Sequence, residues 1–559
     1  MGKTIELPDF KSEPLIDWSK EEERTKLSKA LREVRGNLGA LYNPIIAGKR
    51  VTTANNEKIR SENPSNPDET IGRVCVAGKE EADKAIRAIQ YAGADKKWAQ
   101  TPPKERADVL RRMAQIFRKK RYFFIALGML EVGKTALEMD GEVAEGIDFL
   151  EYYAASALFL TELNQETLLD LPGEKNSGVY EPLGIGVSIQ PWNFPFAISV
   201  GPAAAALVMG NSILYKPAEQ SSVIGYYLAD VFYEAGIPKE MFHYLPGYGA
   251  DKKGVIGVGN YLANHPAVRF ISFTGSRTVA DLMEEAVFKF NHETIYTLPP
   301  ELRFRKQIAT LEAGGKNAII VDSDADIDEA VLAVSDSAFG FSGQKCSACS
   351  RLIIVDSKGQ PNGLYDILTR RLAERVTSLP VGSPEDAKNK LGPLIDEEAY
   401  NRVLECIRIA GREGIIIAKG KVPQGSSASR SYFTPPVLVS DVPRNSRTAQ
   451  EEIFGPVLSV FRVSTFEEAL ELANNTEFGL TGGVISRNPE HVALAEREFM
   501  VGNLYVNRKS TGAMPARQPF GGVRQSGNGT KAGGWDYLLN FVQRKNISEN
   551  TMRHGAVIE

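Results

Sequence analysis

The chain is short of the residues that build disulfide and metal sites: its 559 residues include four cysteines and five histidines. Four cysteines make no disulfide framework, and such a chain suits a reducing compartment, so a cytoplasmic location is expected. The histidines His243, His265, His292, His491 and His554 are scattered with no pair at metal-ligand spacing, and no metal is expected. Cys346 and Cys349 form a C-x-x-C, but further soft ligands and a thioredoxin-like context are missing. Cys75 and Cys406 read as small buried apolar residues. No stretch reaches the roughly 18 apolar residues of a membrane-crossing helix. The first ten residues, Met1 to Phe10, lack an apolar signal core and are too acidic for a transit peptide. Position 6 is Glu, so Gly2 is no myristoylation site. Charge of one sign is also lacking: 66 Lys and Arg stand against 70 Asp and Glu, which argues against a nucleic-acid or acidic-membrane partner. With 43% hydrophobic and 24% charged residues, the composition is that of a soluble protein long enough for several cores.

What is present centres on Cys346. It lies in Phe339-Gly-Phe-Ser-Gly-Gln-Lys-Cys346-Ser-Ala-Cys-Ser, a small-residue stretch with a lysine directly before the thiol. Upstream, Glu312 stands in Leu311-Glu-Ala-Gly-Gly-Lys316. A thiolate attacks carbonyl carbon, and a carboxylate activates the water that releases what the thiol caught. The pair points to covalent catalysis by a cysteine that uses a Glu rather than a His as its base.

Around this pair the chain alternates. Residues 1–60 are charged, with a helix over Glu21–Arg35, and apolar helical periods follow at about 79–98, 104–120 and 121–160. Strands are predicted at Gly184–Gln190, Ser212–Lys216, Phe242–Leu245 and Val268–Phe273. Helices are predicted through Ala203–Met209, up to Ala235, and near 251–263. After Glu312, strands at Asn317–Val321 and Arg351–Val355 alternate with helices at 326–340 and 363–378. Residues 419–431 read as a surface loop. Strand–helix alternation of this kind means doubly wound parallel sheets, here two of them.

Open parallel sheets bind ligands beyond the carboxyl ends of their strands. Those positions carry Pro191-Trp-Asn-Phe-Pro195, Lys216-Pro-Ala-Glu219 and Thr274-Gly-Ser-Arg277. A carboxylate at Glu219 suits an adenosine ribose diol and would repel a 2′-phosphate, which favours NAD over NADP. Gly275-Ser276 opens a helix whose free N–H groups can meet a pyrophosphate.

These segments, with Phe273-Thr-Gly-Ser276, Glu312-Ala-Gly-Gly-Lys316, Gly343-Gln-Lys-Cys346, Glu452-Ile-Phe-Gly-Pro456 and Pro519-Phe-Gly-Gly522, resemble the NAD(P)-dependent aldehyde dehydrogenases over almost the whole chain. Glu131-Val-Gly-Lys134, Ala144–Tyr153, Cys346-Ser347, the long N-terminal extension and Asn507-Arg-Lys-Ser-Thr-Gly-Ala513 resemble the 1-pyrroline-5-carboxylate dehydrogenase branch. That branch oxidises glutamate γ-semialdehyde to glutamate in proline catabolism. The resemblance implies Cys346 as nucleophile, Glu312 as hydrolytic base, and Asn193 with the Cys346 N–H as oxyanion donors. It places Ile189, Pro191, Trp192, Lys216, Ala218 and Glu219 on the cofactor, together with Gly249, Gly275 and Ser276. Glu452 would hold the nicotinamide ribose and Phe454 would pack by the ring. The substrate's carboxylate would meet Ser347, Gly512 and Ala513, its aliphatic part Phe194 and Phe520, and its amine Glu131.

By the same resemblance, residues 1–165 and 182–311 form the NAD-binding domain and 312–535 the catalytic domain. Residues 166–181 and 536–559 form a small β oligomerisation flap, so a homodimer or an assembly of dimers is expected. No proline dehydrogenase domain is present, which implies the monofunctional form and leaves a separate proline dehydrogenase as a candidate partner. Oxidation of another semialdehyde or an aliphatic aldehyde, and a non-catalytic protein on the same fold, stand as alternatives.

Overall fold

A computed structural model describes residues 10–166, 168–252, 254–299, 306–356, 362–423 and 431–552. Two seven-stranded sheets dominate it. In the first, β1 (Ile185–Ile189), β2 (Ser212–Lys216), β3 (Phe242–Tyr244), β4 (Val268–Thr274) and β5 (Ile308–Glu312) pair in parallel in the order β5-β4-β1-β2-β3. The short strands Ile45–Ile46 and Lys49–Arg50 complete its far edge. Every residue of β1 and β2 is buried. Continuous burial is what a strand covered on both faces demands, and it is why these runs are apolar without alternation. The chain leaves β1 on one side toward β2 and β3, then returns to its other side for β4 and β5. The reversal opens a crevice beyond Ile189, whose backbone registers with Lys216 on one side and Phe273 on the other.

The second sheet contains β6 (Asn317–Val321), β7 (Cys349–Val355), β8 (Ile415–Lys419), β9 (Val437–Ser440), β10 (Val457–Val463), β11 (Thr481–Ile485) and β12 (Asn503–Val506). Their order is β8-β9-β10-β7-β6-β11-β12, parallel except at the β8–β9 edge. The helices that matter for the site are α1 (Arg121–Glu131), α2 (Ala136–Glu166), α3 (Ala197–Val208), α4 (Ser222–Glu234), α5 (Arg277–Lys289) and α6 (Ile327–Phe339). The four alanines Ala203–Ala206 of α3 have 0% exposure, small enough to let the helix lie close on its sheet.

Two predicted helices are corrected. The helical period over 121–160 is two helices, α1 and α2, broken at residues 132–135. Gly133 has φ +73°, and a Cβ there would sit 2.7 Å from Pro393 Cγ, so the backbone turns where a side chain would not fit. The helix near 251–263 shrinks to Val258–Ala263, because Gly254 takes φ +74° and Gly257 presses on the Ala250 backbone. Ile308–Glu312, for which no strand was predicted, is β5, so Glu312 ends the first sheet. The Gly425–Ser429 part of the predicted loop lies outside the described residues.

Residues Glu174–Pro182 and Val542–Asn550 pair antiparallel over their full lengths as a two-stranded ribbon, most of it exposed. Residues 553–559 of the expected flap, and residue 167, lie outside the described residues.

Glu131 departs furthest from expectation. It closes α1 with 0% exposure and accepts hydrogen bonds from Ser61 Oγ and from the backbone N–H groups of Val223 and Ile224, each at 2.8 Å. Those two N–H groups are orphans of the first turn of α4, and a carboxylate there also meets the positive end of the helix dipole. Both of its oxygens are engaged in this cap, so Glu131 is not the amine partner. Burial pushes its carboxyl up to about 7. Glu131→Ala would leave buried donors unpaired and should cost about 2–4 kcal/mol of stability. Urea unfolding measures this; an unchanged midpoint together with a raised KM would restore the sequence expectation.

Candidate active site

The nucleophile's turn is built to be stiff. After α6 the chain passes through Phe341, Ser342 and Gly343 with φ of 51°, 53° and 71°. Two consecutive non-glycine residues in this region cost about 1–3 kcal/mol each and persist only where the surroundings over-determine them. Here Ser342 Oγ donates to the Gly392 carbonyl at 2.7 Å. The buried Gln344 side chain donates to Pro393 O at 3.1 Å and accepts from Ile395 N at 2.9 Å. A Cβ on Gly343 would lie 2.4 Å from Gly455 O. The turn therefore has one conformation, and it ends at Cys346.

Asn317, the first residue of β6, clamps the turn from the other side. Its Nδ2 donates to the carbonyls of Cys346 at 2.7 Å and Ala348 at 2.9 Å, and its Oδ1 accepts from Thr481 N at 3.0 Å. Asn193 arrives from the end of β1 and donates its Nδ2 to the Gln344 carbonyl at 3.1 Å. Its amide, 4% exposed as a residue, thus stands beside the cysteine's turn.

Glu312 comes in from the end of β5. Its backbone is held by Gly275 N, which donates to its carbonyl at 3.0 Å, and by a bridge to Gly527. Burial pushes its carboxyl up to about 7. Burial first, then the neighbouring Glu312 and Glu452, raise the Cys346 thiol well above its ordinary value, while the Ser347 and Cys346 N–H groups pull it back. The resting pair is a protonated thiol beside a carboxyl that titrates near neutrality. Such a carboxyl can accept a proton at physiological pH.

Glu452 reaches over the Gly314-Gly315 turn. Its Oε1 accepts from Gly315 N at 3.0 Å, and a Cβ on Gly314 would lie 2.0 Å from its Oε2. Trp192 meets Phe454 edge-on at 5.6 Å and Phe341 at 6.4 Å. Ser347 is buried, with its carbonyl accepting from Thr481 Oγ1 at 3.3 Å. Gly512 takes φ +78°, a conformation that turns successive N–H groups toward one point. Ala513 follows it, and Phe520 is pinned by paired backbone bonds to Ala532 at 2.8 Å.

The far end of the crevice has the chemistry of a dinucleotide site. Lys216 is buried, yet among the described residues its ammonium has one hydrogen bond, to Pro217 O at 3.0 Å. Glu219, after Ala218, accepts from Gly249 N at 3.4 Å and lies 3.9 Å from Lys252. A Cβ on Gly249 would meet nothing within 4 Å, so open space lies there. Ser276 caps α5 without a side-chain bond, leaving first-turn N–H groups for an anion. A buried cation with spare donors, a half-exposed carboxylate and a free helix N-terminus fit a ribose and a pyrophosphate.

Four residues near the site had no role assigned from the sequence: Asn317, Gln344, Glu145 and Tyr505. Asn317 and Gln344 act on backbone N–H and carbonyl groups of other segments, which the sequence does not display. Glu145, on α2, has no hydrogen bond among the described residues. Burial, together with Glu142, Asp148 and Glu312, raises its carboxyl to about 8. Tyr505, whose hydroxyl is buried without a partner, feels both Cys346 and Glu145.

The Aldehyde dehydrogenase family model matches residues 51–547, and the chain belongs to that family. Over 540 residues it is 46% identical to the 1-pyrroline-5-carboxylate dehydrogenase of Geobacillus sp. (strain WCH70), covering 97% of this chain and 99% of that one. The structure of the Thermus 1-pyrroline-5-carboxylate dehydrogenase with bound NAD superposes with a TM-score of 0.88 at 42% identity, covering 97% and 99% of the two chains. Proline utilization A from Bdellovibrio bacteriovorus superposes at 0.89 with 39% identity, and this chain spans 54% of its length.

A base that titrates near 7 acts only when ionised. Hydrolysis of the acyl-enzyme should therefore rise about tenfold per pH unit below pH 7 and level off above it. Single-turnover release of product, started from preformed acyl-enzyme, measures this. A flat profile between about pH 5.5 and 8.5 would remove Glu312 from the step.

Proposed function

We infer that the chain oxidises L-glutamate γ-semialdehyde, the open form of 1-pyrroline-5-carboxylate, to L-glutamate with NAD, as in proline catabolism. The observation that carries this reading is the Cys346–Glu312–Asn193 juxtaposition, in a chain 46% identical end to end to a 1-pyrroline-5-carboxylate dehydrogenase.

Cys346 gives its proton to solvent water and its sulfur attacks the aldehyde carbon, forming a thiohemiacetal. The oxygen, now negative, meets the Asn193 amide and the Cys346 N–H. Each such donor is worth about 3 kcal/mol of barrier. When bound, NAD supplies the acceptor for the hydride that leaves the former aldehyde carbon. Glu312 then takes a proton from water as its oxygen attacks the resulting thioester, and the Cys346 sulfur leaves with glutamate formed. Glu452 and Phe454 hold the reactive end of the cofactor. Ile189, Pro191, Trp192, Lys216, Ala218, Glu219, Gly249, Gly275 and Ser276 hold the rest.

Ser347, Gly512 and Ala513 receive the substrate carboxylate, and Phe194 and Phe520 flank its methylenes. With Glu131 consumed as a helix cap, Glu145 is the carboxyl offered to the amine: an arriving ammonium would offset the burial that keeps it protonated. Residues 1–165 and 182–311 act as the NAD-binding domain and 312–535 as the catalytic domain. The ribbon Glu174–Pro182 with Val542–Asn550 falls within the expected flap of 166–181 and 536–559, the preceding Leu169 and Leu171 are 86% and 65% exposed, and a two-stranded ribbon alone is marginal. It is read as the flap of a homodimer or an assembly of dimers. No helix among the described residues is long and apolar enough to cross a membrane, and a cytoplasmic enzyme is proposed. The partial match to proline utilization A leaves a separate proline dehydrogenase as the partner to test.

Cys346→Ala should abolish NADH formation from 1-pyrroline-5-carboxylate with NAD affinity near normal; retained turnover would sink the assignment. Glu312→Gln should keep one rapid turnover of hydride transfer and lose steady turnover by about 100-fold or more. Glu145→Gln should raise KM for the amino semialdehyde more than for succinic semialdehyde, and equal effects would remove Glu145 from amine recognition.

A further inference from the structure

We propose that Lys134, paired with Glu142, is a positioning residue that sets the spacing between the oxyanion-binding arm and the nucleophile's arm. The proposal rests on the roles given above to Asn193 and Cys346. Lys134 lies in the break between α1 and α2 and is 1% exposed. Its ammonium is 3.7 Å from the ring centre of Phe194 and 4.9 Å from that of Phe341. Phe194 directly follows Asn193. Phe341 is the first left-handed residue of the turn that ends at Cys346. One buried cation therefore touches both arms of the site.

The cation is itself fixed. Its Nζ is 2.5 Å from Glu142 Oε2. The other oxygen of Glu142 accepts from Phe196 N at 2.6 Å and Ala197 N at 3.3 Å, where α3 begins. Residues 194–197 are thus held by a cation on the Phe194 ring, by the fixed φ of Pro195, and by the carboxylate on the next two N–H groups. A buried ion pair is a weak source of net stability, since desolvation offsets most of the attraction. Orientation is the function left to it. Displacement of a reacting group by about 1 Å costs on the order of 100-fold in rate.

A double-mutant cycle tests this, with Lys134→Met, Lys134→Arg, Phe194→Leu and the Lys134→Met/Phe194→Leu pair. The hydride burst and steady-state constants are measured with 1-pyrroline-5-carboxylate at saturating NAD, and NAD affinity by fluorescence. Lys134→Met should slow the burst on the order of 10- to 100-fold with NAD affinity within about twofold. Lys134→Arg, which keeps the cation, should recover part of the loss. The Lys134 effect should shrink once Phe194 is already leucine. A folded Lys134→Met enzyme with a wild-type burst, or effects that simply multiply, would overturn the proposal. If Lys134→Met does not fold, Glu142→Gln takes its place: a slowed burst with intact NAD binding supports the proposal, and a wild-type burst overturns it. A wild-type protein inactive on the semialdehyde would instead sink the functional reading. An active one slowed by Asn193→Ala but not by Lys134→Met would sink only this inference.

Discussion

The crossing from the first sheet to the second, made in the four residues Ala313–Lys316, is the constraint on which the site depends. Glu312 is the last residue of β5 and Asn317 the first of β6. So short a link leaves the base on one sheet and the clamp of the nucleophile's turn on the other with almost no freedom between them. A side chain at either glycine of the link would displace a group that the site uses. A Cβ at Gly314 would strike the Glu452 carboxylate at 2.0 Å, and one at Gly315 would strike Asn317 Oδ1 at 2.5 Å. Asn317 then holds the carbonyl of Cys346, so the base and the thiol are referred to a single point of backbone.

Burial supplies the chemistry that this geometry arranges. Glu312, Glu145 and Glu452 are only partly exposed, and the protein packed around each pushes its carboxyl up to about 7 or 8. The same packing, with Glu312 and Glu452 nearby, raises the Cys346 thiol. Carboxyls that titrate near neutrality are readily shifted by a partner that brings charge. The balance also explains why Lys134 is matched with Glu142. An unpaired ammonium at that depth would be costly, and two phenyl faces alone would not repay it.

Much of this was legible in the sequence where chemistry and local pattern coincide. Cys346 after Gly-Gln-Lys, Glu312 before Gly-Gly, and Glu219 after a buried strand are polar residues set at the ends of apolar runs. The apolar β1 and β2 runs announced strands covered on both faces. Glu131 and Glu145 show where legibility stops. Both are acids in helical segments of apolar neighbours, and nothing local separates them. One cap on a helix ninety residues away consumes Glu131, and none consumes Glu145. The same holds for Asn317 and Gln344, whose work falls on backbone N–H and carbonyl groups that a sequence does not display.

By itself the sequence determined the alternation of strands and helices, the cysteine–glutamate chemistry and the polar residues at the strand ends. Each depends on residue type and near neighbours. The tertiary structure alone decided which carboxylates face the thiol, which are spent capping helices, and how a buried lysine comes to lie between Phe194 and Phe341. Those outcomes turn on contacts between residues far apart in the chain, where burial and distance, rather than identity, set what a side chain can do.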